Sequence, residues 1–499
     1  MQGALEASLV RPPLPRRAPV HDFHVAIAGL LVGVLCFAVV ITLQDFLTSR
    51  RLIAGAGILL LLTAAFRLGI TRLFLLYGWV LSLVYSRVYY LPDPQDRYGY
   101  HGLYFIASDA FLAFLYLVWL YDFTVRKKRM TGSVPHIGYV FLPFALAGIA
   151  SISNSLHPDW TAFECVRLLK AALLIHYLRH NLGQKEAIAC FAAIGTGILI
   201  QLPVSIGQVV FHKFGAIQLI GEVWTRGFGT LNHPNILCAY LLMTLPVFMA
   251  LAIVCQERLL KYGAVLVSIA GLASLVLTMS RGPWGLAALE MASVAVLLVG
   301  ARLFSLQRAL GYAAMGAALV AMPAFVYREK LIDRISGNFS ESIDFRQTFN
   351  RAALTIHAKS PLTGVGMNNF EHYLPEVAPE YALSFDLLSK QSEKMARVQI
   401  VVHNFYLLIL AESGILGLLG LGWALVGLAI KHCNRIRKTE GLWKAVAIGG
   451  LVGFGGVLGQ QITEPTLWSD GPYYTFVLMS VLMNNLLDYS DNAAEEIAA

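Results

Sequence analysis

Three side chains that lie far apart in the sequence, Arg226, Arg281 and His403, could together bind and activate a phosphorylated substrate. The guanidinium fork of arginine matches phosphate oxygens in a bidentate way. An imidazole can take a proton from an attacking hydroxyl at neutral pH. These residue types therefore indicate transfer chemistry beside an anionic group, provided that the fold brings them together.

Arg226 belongs to a segment rich in glycine and asparagine that runs from Thr225 to Asn235. Its glycines let the backbone approach a ligand closely, and Asn232 and Asn235 offer amide donors. A helix that begins near Pro234 would also point free N–H groups at an anion. The alternative is a turn and a helix cap with one interfacial arginine.

Arg281 lies between two apolar runs with almost no connecting loop, at membrane depth or at the interface. Such a charge is costly and indicates a functional site by default. A side chain that snorkels to the lipid headgroups is the alternative. Arg346 is a third candidate for phosphate binding and Arg351 a weaker one, although a solvated helix face explains both equally well.

His403, followed by Asn404, opens an apolar run and could act as a base near this anionic site. A lone histidine at a helix boundary is usually structural, so the functional interpretation depends on the two arginines. Glu412 lies too deep on an ideal helix to orient His403. We expect it to bond a neighbouring span instead.

The composition predicts that a membrane surrounds these residues, because 57% of the 499 residues are hydrophobic and only 14% are charged. An average soluble domain has about 25% charged residues, and the mean hydropathy here is +0.63. Recurring apolar runs predict an all-α polytopic bundle of about 12–14 transmembrane helices. The candidate spans are 22–44, 51–66, 73–90, 102–122, 136–152, 162–178, 186–211, 236–255, 262–280, 284–300, 309–327, 404–430, 443–462 and 473–488.

Basic side chains cluster in five connections that share one face if the N-terminus is cytoplasmic. Short cytoplasmic loops are rich in Lys and Arg, so this face is predicted to be the cytoplasmic one. If the spans are counted from this cytoplasmic face, Arg226, Arg281 and His403 all lie on the opposite, outer face.

The predicted regions are a cytoplasmic tail (1–21), N-terminal transmembrane helices (22–185), a core transmembrane region with the Arg226 and Arg281 motifs (186–327), a large periplasmic loop (328–403), C-terminal transmembrane helices (404–488) and a tail (489–499).

Part of the large loop is amphipathic at helical spacing, from Phe345 to Ala358. This pattern predicts a helix that lies on the membrane body. Its apolar positions are Phe349, Ala352, Ala353 and Ile356.

Several other functions are disfavoured by what the sequence contains. The net charge of +8 is explained by the basic connections, so no nucleic-acid partner is expected. The six cysteines are scattered and form no C-x-x-C pair, which predicts neither a disulfide framework nor a zinc site. The sequence has no Walker loop, H-E-x-x-H, G-x-S-x-G or D-x-D motif. ATP-driven transport, zinc proteolysis and nucleotide-sugar transfer are therefore disfavoured.

Over about residues 186–435 the chain resembles the O-antigen ligase and polymerase family of bacterial envelope membrane proteins. The resemblance rests on four motifs in the family's order: Arg226-Gly227 with Gly229-Thr230-Leu231-Asn232-His233-Pro234-Asn235; Ser280-Arg281-Gly282; Arg346 with Pro361-Leu362-Thr363-Gly364-Val365-Gly366; and His403-Asn404-Phe405-Tyr406-Leu407 with Glu412, Gly414 and Gly417. His233 departs from the pattern, because the family commonly has an aromatic or small residue there.

The resemblance implies a fold similar to the GT-C class of multi-span glycosyltransferases. The donor would be a glycan on undecaprenyl diphosphate, and the acceptor a sugar hydroxyl on lipid A core or on another lipid-linked glycan. Transfer would invert the anomeric carbon and need no metal or other cofactor, because the diphosphate is already a good leaving group. By motif position, Arg226, Arg281 and Arg346 would bind the diphosphate and His403 would be the general base, with possible support from Asn232, His233, Asn235 and Asn404.

The resemblance also implies a place in the cell. The chain would be a multi-pass protein of the bacterial inner membrane, active on the periplasmic face in lipopolysaccharide or exopolysaccharide synthesis. The bilayer and other polysaccharide-assembly proteins would be its further partners. Ligase and polymerase both remain open.

Two hypotheses from other classes compete with glycan transfer. A transporter or flippase for polysaccharide intermediates often shows related halves around a midplane site, but here no half-to-half symmetry is visible and the informative residues gather on one face. A structural partner of an envelope assembly complex would use the same motifs for packing alone.

Overall fold

The computed structural model describes residues 69, 71–85, 88–91, 103–125, 137–213, 225–305, 307, 340–379 and 402–485. The chain divides into two units, Met1–Leu75 and Leu76–Ala499, and the candidate site belongs to the second. The predicted spans 22–44, 51–66 and 309–327, both tails and parts of the loop 328–403 lie outside the described residues.

The described part of the chain is almost entirely helical. Its α-helices are α1 (Thr71–Ser82), α2 (Ala107–Thr124), α3 (Leu142–Ala150), α4 (Pro158–Asn181), α5 (Gln184–Val209), α6 (Pro234–Val254), α7 (Arg258–Leu277), α8 (Arg281–Gly300), α9 (Ser340–Lys359), α10 (Leu374–Val377), α11 (Phe405–Lys438), α12 (Gly441–Gln460) and α13 (Asp470–Asn484). Short 3-10 helices cover Gly138–Phe141, Ser151–Asn154, Phe370–Tyr373 and Thr466–Trp468. Within the described ranges, six helices are long and apolar enough to cross a membrane: α5, α6, α7, α8, α11 and α12. The predicted all-α polytopic bundle is confirmed.

Within the described residues, one pair of antiparallel strands interrupts the predicted helices. The strands β1 (Val88–Leu91) and β2 (Leu103–Ile106) pair in register from Val88 with Ile106. The predicted span 73–90 is therefore wrong at its end, and the span 102–122 is wrong at its start. The reason is composition: both strands are short apolar runs rich in aromatic residues, which favour strands and which periodicity cannot separate from helix.

Helix α6 lies at the centre of the bundle and is the most buried of the six long helices. Helix α12 packs along it through glycines. A Cβ atom on Gly449 or Gly453 would come within 2.6 or 2.3 Å of a backbone carbonyl oxygen, of Pro246 or Met243 respectively. Small residues let two membrane helices approach this closely. The end of α12 is consequently fixed beside the start of α6.

The amphipathic helix predicted in the large loop is confirmed as α9. Its four apolar positions are all buried, with 0–3% of their surface exposed: Phe349, Ala352, Ala353 and Ile356. Helix α9 packs against α11, one of the membrane helices. Arg346, one turn before Phe349, lies at the edge of this buried stripe.

Helix α11 is broken at Gly414, whose φ of 65° and ψ of −167° are not helical. Residues 361–366 lie against the break and supply the hydrogen bonds that the helix loses there. The four bonds are Val365 N to Ala411 O (3.1 Å), Gly366 N to Glu412 O (2.9 Å), Ile415 N to Pro361 O (2.9 Å) and Leu416 N to Leu362 O (3.2 Å). Non-helical backbone within a membrane protein needs such partners. The segment 361–366 and the Glu412–Gly414 segment of α11, which are separate motifs in the sequence, thus form one interlocked structure.

Glu412 takes part in the same structure. Its Oε1 accepts a hydrogen bond from the backbone N–H of Phe370 at 3.1 Å. The expectation that Glu412 bonds a neighbouring span is therefore wrong, because the segment after the interlocked residues passes directly beside the carboxyl group.

Candidate functional site

The segment that carries Arg226 is held by two glutamines of α5. Gln208 Oε1 accepts from the backbone N–H groups of Phe228 and Gly229, both at 2.9 Å. Gln201 Oε1 accepts from Thr230 N at 2.8 Å. Gly229 has a φ of +60°, and a Cβ atom there would lie 1.9 Å from Gln201 Oε1. A glycine is therefore required for the backbone to reach these side chains.

Arg226 is buried, with 7% of its surface exposed, and it joins three elements. Its Nε donates to Thr278 O at 2.8 Å, and its Nη2 donates to Ser280 Oγ at 2.5 Å and Asn235 Oδ1 at 3.3 Å. The Ser280 hydroxyl donates in turn to Asn235 Oδ1 at 2.8 Å. These bonds link the Arg226 segment to the start of α6 and to the turn between α7 and α8, where Arg281 begins α8.

His233 is the N-cap of α6 and lies partly buried between the two halves of the site. Its Nδ1 accepts from the backbone N–H of Asn235 at 3.2 Å, which satisfies one free donor of the first turn. Burial lowers the pKa of His233 to about 4, against the attraction of Glu464 and with smaller contributions from Arg226 and His403. His233 is therefore neutral at the pH of a cell.

The C-terminal end of α12 connects the Arg226 side of the site to the His403 side. Gln460 Nε2 donates to the backbone carbonyl of Asn235 at 2.8 Å. The backbone carbonyl of the residue after Gln460, Gln461, accepts a hydrogen bond from Phe405 N at 2.9 Å. Through these two bonds, the starts of α6 and α11 are held at the same end of the bundle.

His403 pairs with a carboxylate that follows α12. Its Nδ1 lies 3.0 Å from Glu464 Oε2, and Arg346 Nη2 lies 2.6 Å from Glu464 Oε1. The Glu464 side chain is 10% exposed and that of His403 30%. The carboxylate is thus enclosed between a guanidinium and an imidazole, while the imidazole reaches the surface of the site.

Glu464 stays ionised in this position. Burial alone would raise its pKa, but the hydrogen bond from His403 and the electrostatic effects of His403, Arg346 and His233 lower the pKa to about 2. An ionised carboxylate can only accept hydrogen bonds. The proton between the two groups therefore sits on His403 Nδ1.

The two histidines consequently present opposite ring nitrogens. In its neutral form His403 carries its proton on Nδ1, so Nε2 bears the lone pair that can accept a proton. His233 accepts with Nδ1, so its neutral ring carries the proton on Nε2 and can only donate there. Of the two, His403 has the arrangement of a general base whose orientation a carboxylate fixes.

The remaining candidates occupy supporting places. Arg281 is partly buried and adjoins Ser280, the partner of Arg226. Asn404 Oδ1 caps α11 by accepting from the N–H groups of Tyr406 and Leu407 at 3.0 and 3.1 Å. Asn232 is exposed beside the site.

Glu464 is the functional candidate that the sequence reasoning missed. The signal was present, because the connection after the run 443–462 lies on the outer face by the same span count that placed His403. In the described ranges, no group of three or more His, Cys, Asp or Glu side chains is arranged to hold a metal ion.

Comparison with known proteins bears on this site. Residues 266–422 match the O-antigen ligase family. A search of curated proteins finds no match. The family match supports the assignment that the motifs predicted, and with it glycan transfer of the O-antigen ligase or polymerase type in surface polysaccharide synthesis. It also supports a multi-pass membrane protein that acts on lipid-linked glycans.

The match to the O-antigen ligase family covers only part of the site. Arg281, Arg346 and His403 fall inside the matched residues, whereas Arg226 and Glu464 fall outside them. The hydrogen bonds of Arg226 with Ser280, and of Glu464 with His403, join the matched segment to the rest of the chain.

Proposed function

We propose that the chain transfers a glycan from an undecaprenyl-diphosphate carrier to an acceptor sugar hydroxyl on the periplasmic side of the bacterial inner membrane. The observation that carries the proposal is the hydrogen bond between His403 Nδ1 and the ionised Glu464 carboxylate. It gives His403 the tautomer in which Nε2 can accept a proton, at the same end of the bundle as Arg226 and Arg281.

The reaction is a direct displacement. The acceptor oxygen forms a bond to the anomeric carbon, the bond from that carbon to the diphosphate oxygen breaks, and its electron pair leaves with the diphosphate. The hydroxyl proton passes to His403 Nε2, and Glu464 stabilises the resulting imidazolium. Arg226 and Arg281 stabilise the charge that builds on the diphosphate. Displacement in one step inverts the anomeric carbon, and the arginines take the place of a metal ion.

An apolar cavity supports a lipid-linked substrate. It has a volume of about 380 Å³ and is lined by residues of α3, α4, α11, α12 and α13. Phe405, two residues after His403, and Leu467, three residues after Glu464, belong to its wall. An isoprenoid chain could therefore enter this cavity while the diphosphate lies at the arginines.

The test is transfer by the purified protein in vesicles that contain an undecaprenyl-diphosphate glycan. We expect His403→Ala to lower kcat by about 10²–10⁴, the usual worth of a general base. Arg281→Ala should cost about 10²–10³, as for other charge-stabilising donors. Both variants should accumulate in the membrane like the wild type. Wild-type transfer by either variant would overturn its assigned role.

Deletion of the gene separates the alternatives. Long unligated chains on the lipid carrier would indicate a ligase, and single repeats a polymerase. Accumulation of lipid-linked glycan on the cytoplasmic side would instead indicate the flippase hypothesis, and unchanged glycans would count against all three.

A further inference from the structure

The turn that carries Glu464, residues 461–469, is fixed at both of its ends. At the first end, Gln461 Nε2 donates to Thr466 Oγ1 at 2.7 Å and Gln461 Oε1 accepts from Leu467 N at 3.0 Å. At the other end, Arg167 Nη1 donates to the backbone carbonyl of Trp468. The guanidinium carbon of Arg167 also lies 4.7 Å from the centre of the Trp468 ring.

Arg167 comes from α4, far from the catalytic motifs in sequence. It is 5% exposed, and its Nε lies 3.0 Å from Glu164 Oε2. A buried ion pair is costly and adds little to stability compared with a well-packed apolar pair. What Arg167 offers is geometry: its planar guanidinium places Nε beside Glu164 of α4 and Nη1 against the Trp468 carbonyl of the turn.

The turn is too short to absorb a shift of Trp468. Its backbone is closed by the bonds from Thr466 N to Glu464 O at 2.9 Å and from Trp468 N to Pro465 O at 3.0 Å. Moving the Trp468 carbonyl would therefore move Glu464 relative to His403. A displacement of about 1 Å at a catalytic group can cost roughly 10²-fold in rate.

We propose that Arg167 is a positioning residue that holds Glu464 against His403. The inference rests on the proposed function, since it concerns the same pair. It gives α4, which lies outside the residues matched to the O-antigen ligase family, a part in the reaction.

The test compares kcat and KM of the full-length protein for Arg167→Lys, Glu464→Gln and the double variant. A lysine keeps the positive charge beside Glu164 but cannot reach Glu164 and the Trp468 carbonyl at the same time. We expect Arg167→Lys to lower kcat about tenfold at unchanged KM, with normal accumulation in the membrane. In the Glu464→Gln background, Arg167→Lys should cause almost no further loss of kcat, because the effects of two substitutions that act through the same group do not add.

Lys170→Met is the matched control. Lys170 lies one turn further along α4 and pairs with the partly buried Asp109 at 2.7 Å, but none of its bonds reaches the turn 461–469. We expect this variant to keep kcat even if less protein accumulates.

Three results would overturn the proposal: wild-type kcat in Arg167→Lys, losses that add to those of Glu464→Gln, or failure of Arg167→Lys to accumulate, which would make the residue structural. If His403→Ala is inactive, the proposed function stands whichever of these three results is found. An active His403→Ala variant would instead remove the proposed function itself.

Discussion

The starts of α6 and α11 look alike in sequence, because each has a histidine beside an asparagine and an apolar helix. Their chemistry differs in the folded protein. His403 meets an ionised carboxylate and presents a lone pair, whereas His233 caps a helix and presents an N–H. The comparison teaches that the partner of the second ring nitrogen, rather than the histidine itself, decides which of the two can be a base.

Removal of the Glu464 carboxylate should lower kcat more than the other changes below, because this carboxylate is what makes His403 differ from His233. In Glu464→Gln the amide can donate to His403 Nδ1 and favour the tautomer that places the proton on Nε2. We expect kcat to fall on the order of 10⁴-fold, as when an orienting carboxylate of a catalytic histidine becomes an amide. The measurement is kcat for transfer in vesicles.

Glu376→Gln is the control, since Glu376 is an exposed carboxylate that pairs with Lys359 on α9. It should keep wild-type kcat. Unchanged transfer in Glu464→Gln would mean that the pair is structural.

Arg226→Lys should have the next largest effect, on the His233 side. A lysine cannot bond Thr278 O and Ser280 Oγ together as the guanidinium does. We expect kcat/KM to fall about 10² through weaker stabilisation of the leaving diphosphate.

The control is Arg258→Lys. Arg258 is exposed at the start of α7, at the opposite end from Thr278 and Ser280, so this variant should leave kcat/KM unaltered. If both variants behave like the wild type, the anion site is not at Arg226.

The smallest effect is expected for His233→Asn. An asparagine keeps an acceptor for the cap but removes the donor at Nε2, so we expect less than a tenfold loss of kcat, in line with a supporting role. A loss as large as that of Glu464→Gln would show that His233 belongs to the proton transfer.

The same variant tests the lowered pKa of His233. Since the folded pKa of about 4 lies below the unfolded value of about 6.5, the unfolded chain binds more protons between these values. The contribution to stability is complete above pH 6.5 and declines as the pH falls toward 4. Tm should therefore drop from pH 7 to pH 5 in the wild type, and drop less in His233→Asn. An equal drop in both proteins would contradict the lowered pKa.

Much of the fold and part of the site were predictable. Long apolar runs fix the membrane helices because the bilayer leaves the backbone few alternatives, and the stripe of α9 follows from helical spacing alone. The pair of strands β1 and β2 was not predictable, because short apolar runs fit strand and helix equally. Nor was the interlock at Gly414, since a glycine in an apolar helix does not reveal which distant segment will replace the lost hydrogen bonds.

The sequence by itself determined which residue types could do chemistry and, through the count of spans, that Arg226, Arg281 and His403 share one end of the bundle. Only the tertiary structure decided what each group bonds. It placed Glu464 between His403 and Arg346, and it gave the two histidines opposite tautomers. The physical reason is that hydrogen bonding depends on positions within a few tenths of an ångström, which arise from packing between residues tens to hundreds of positions apart.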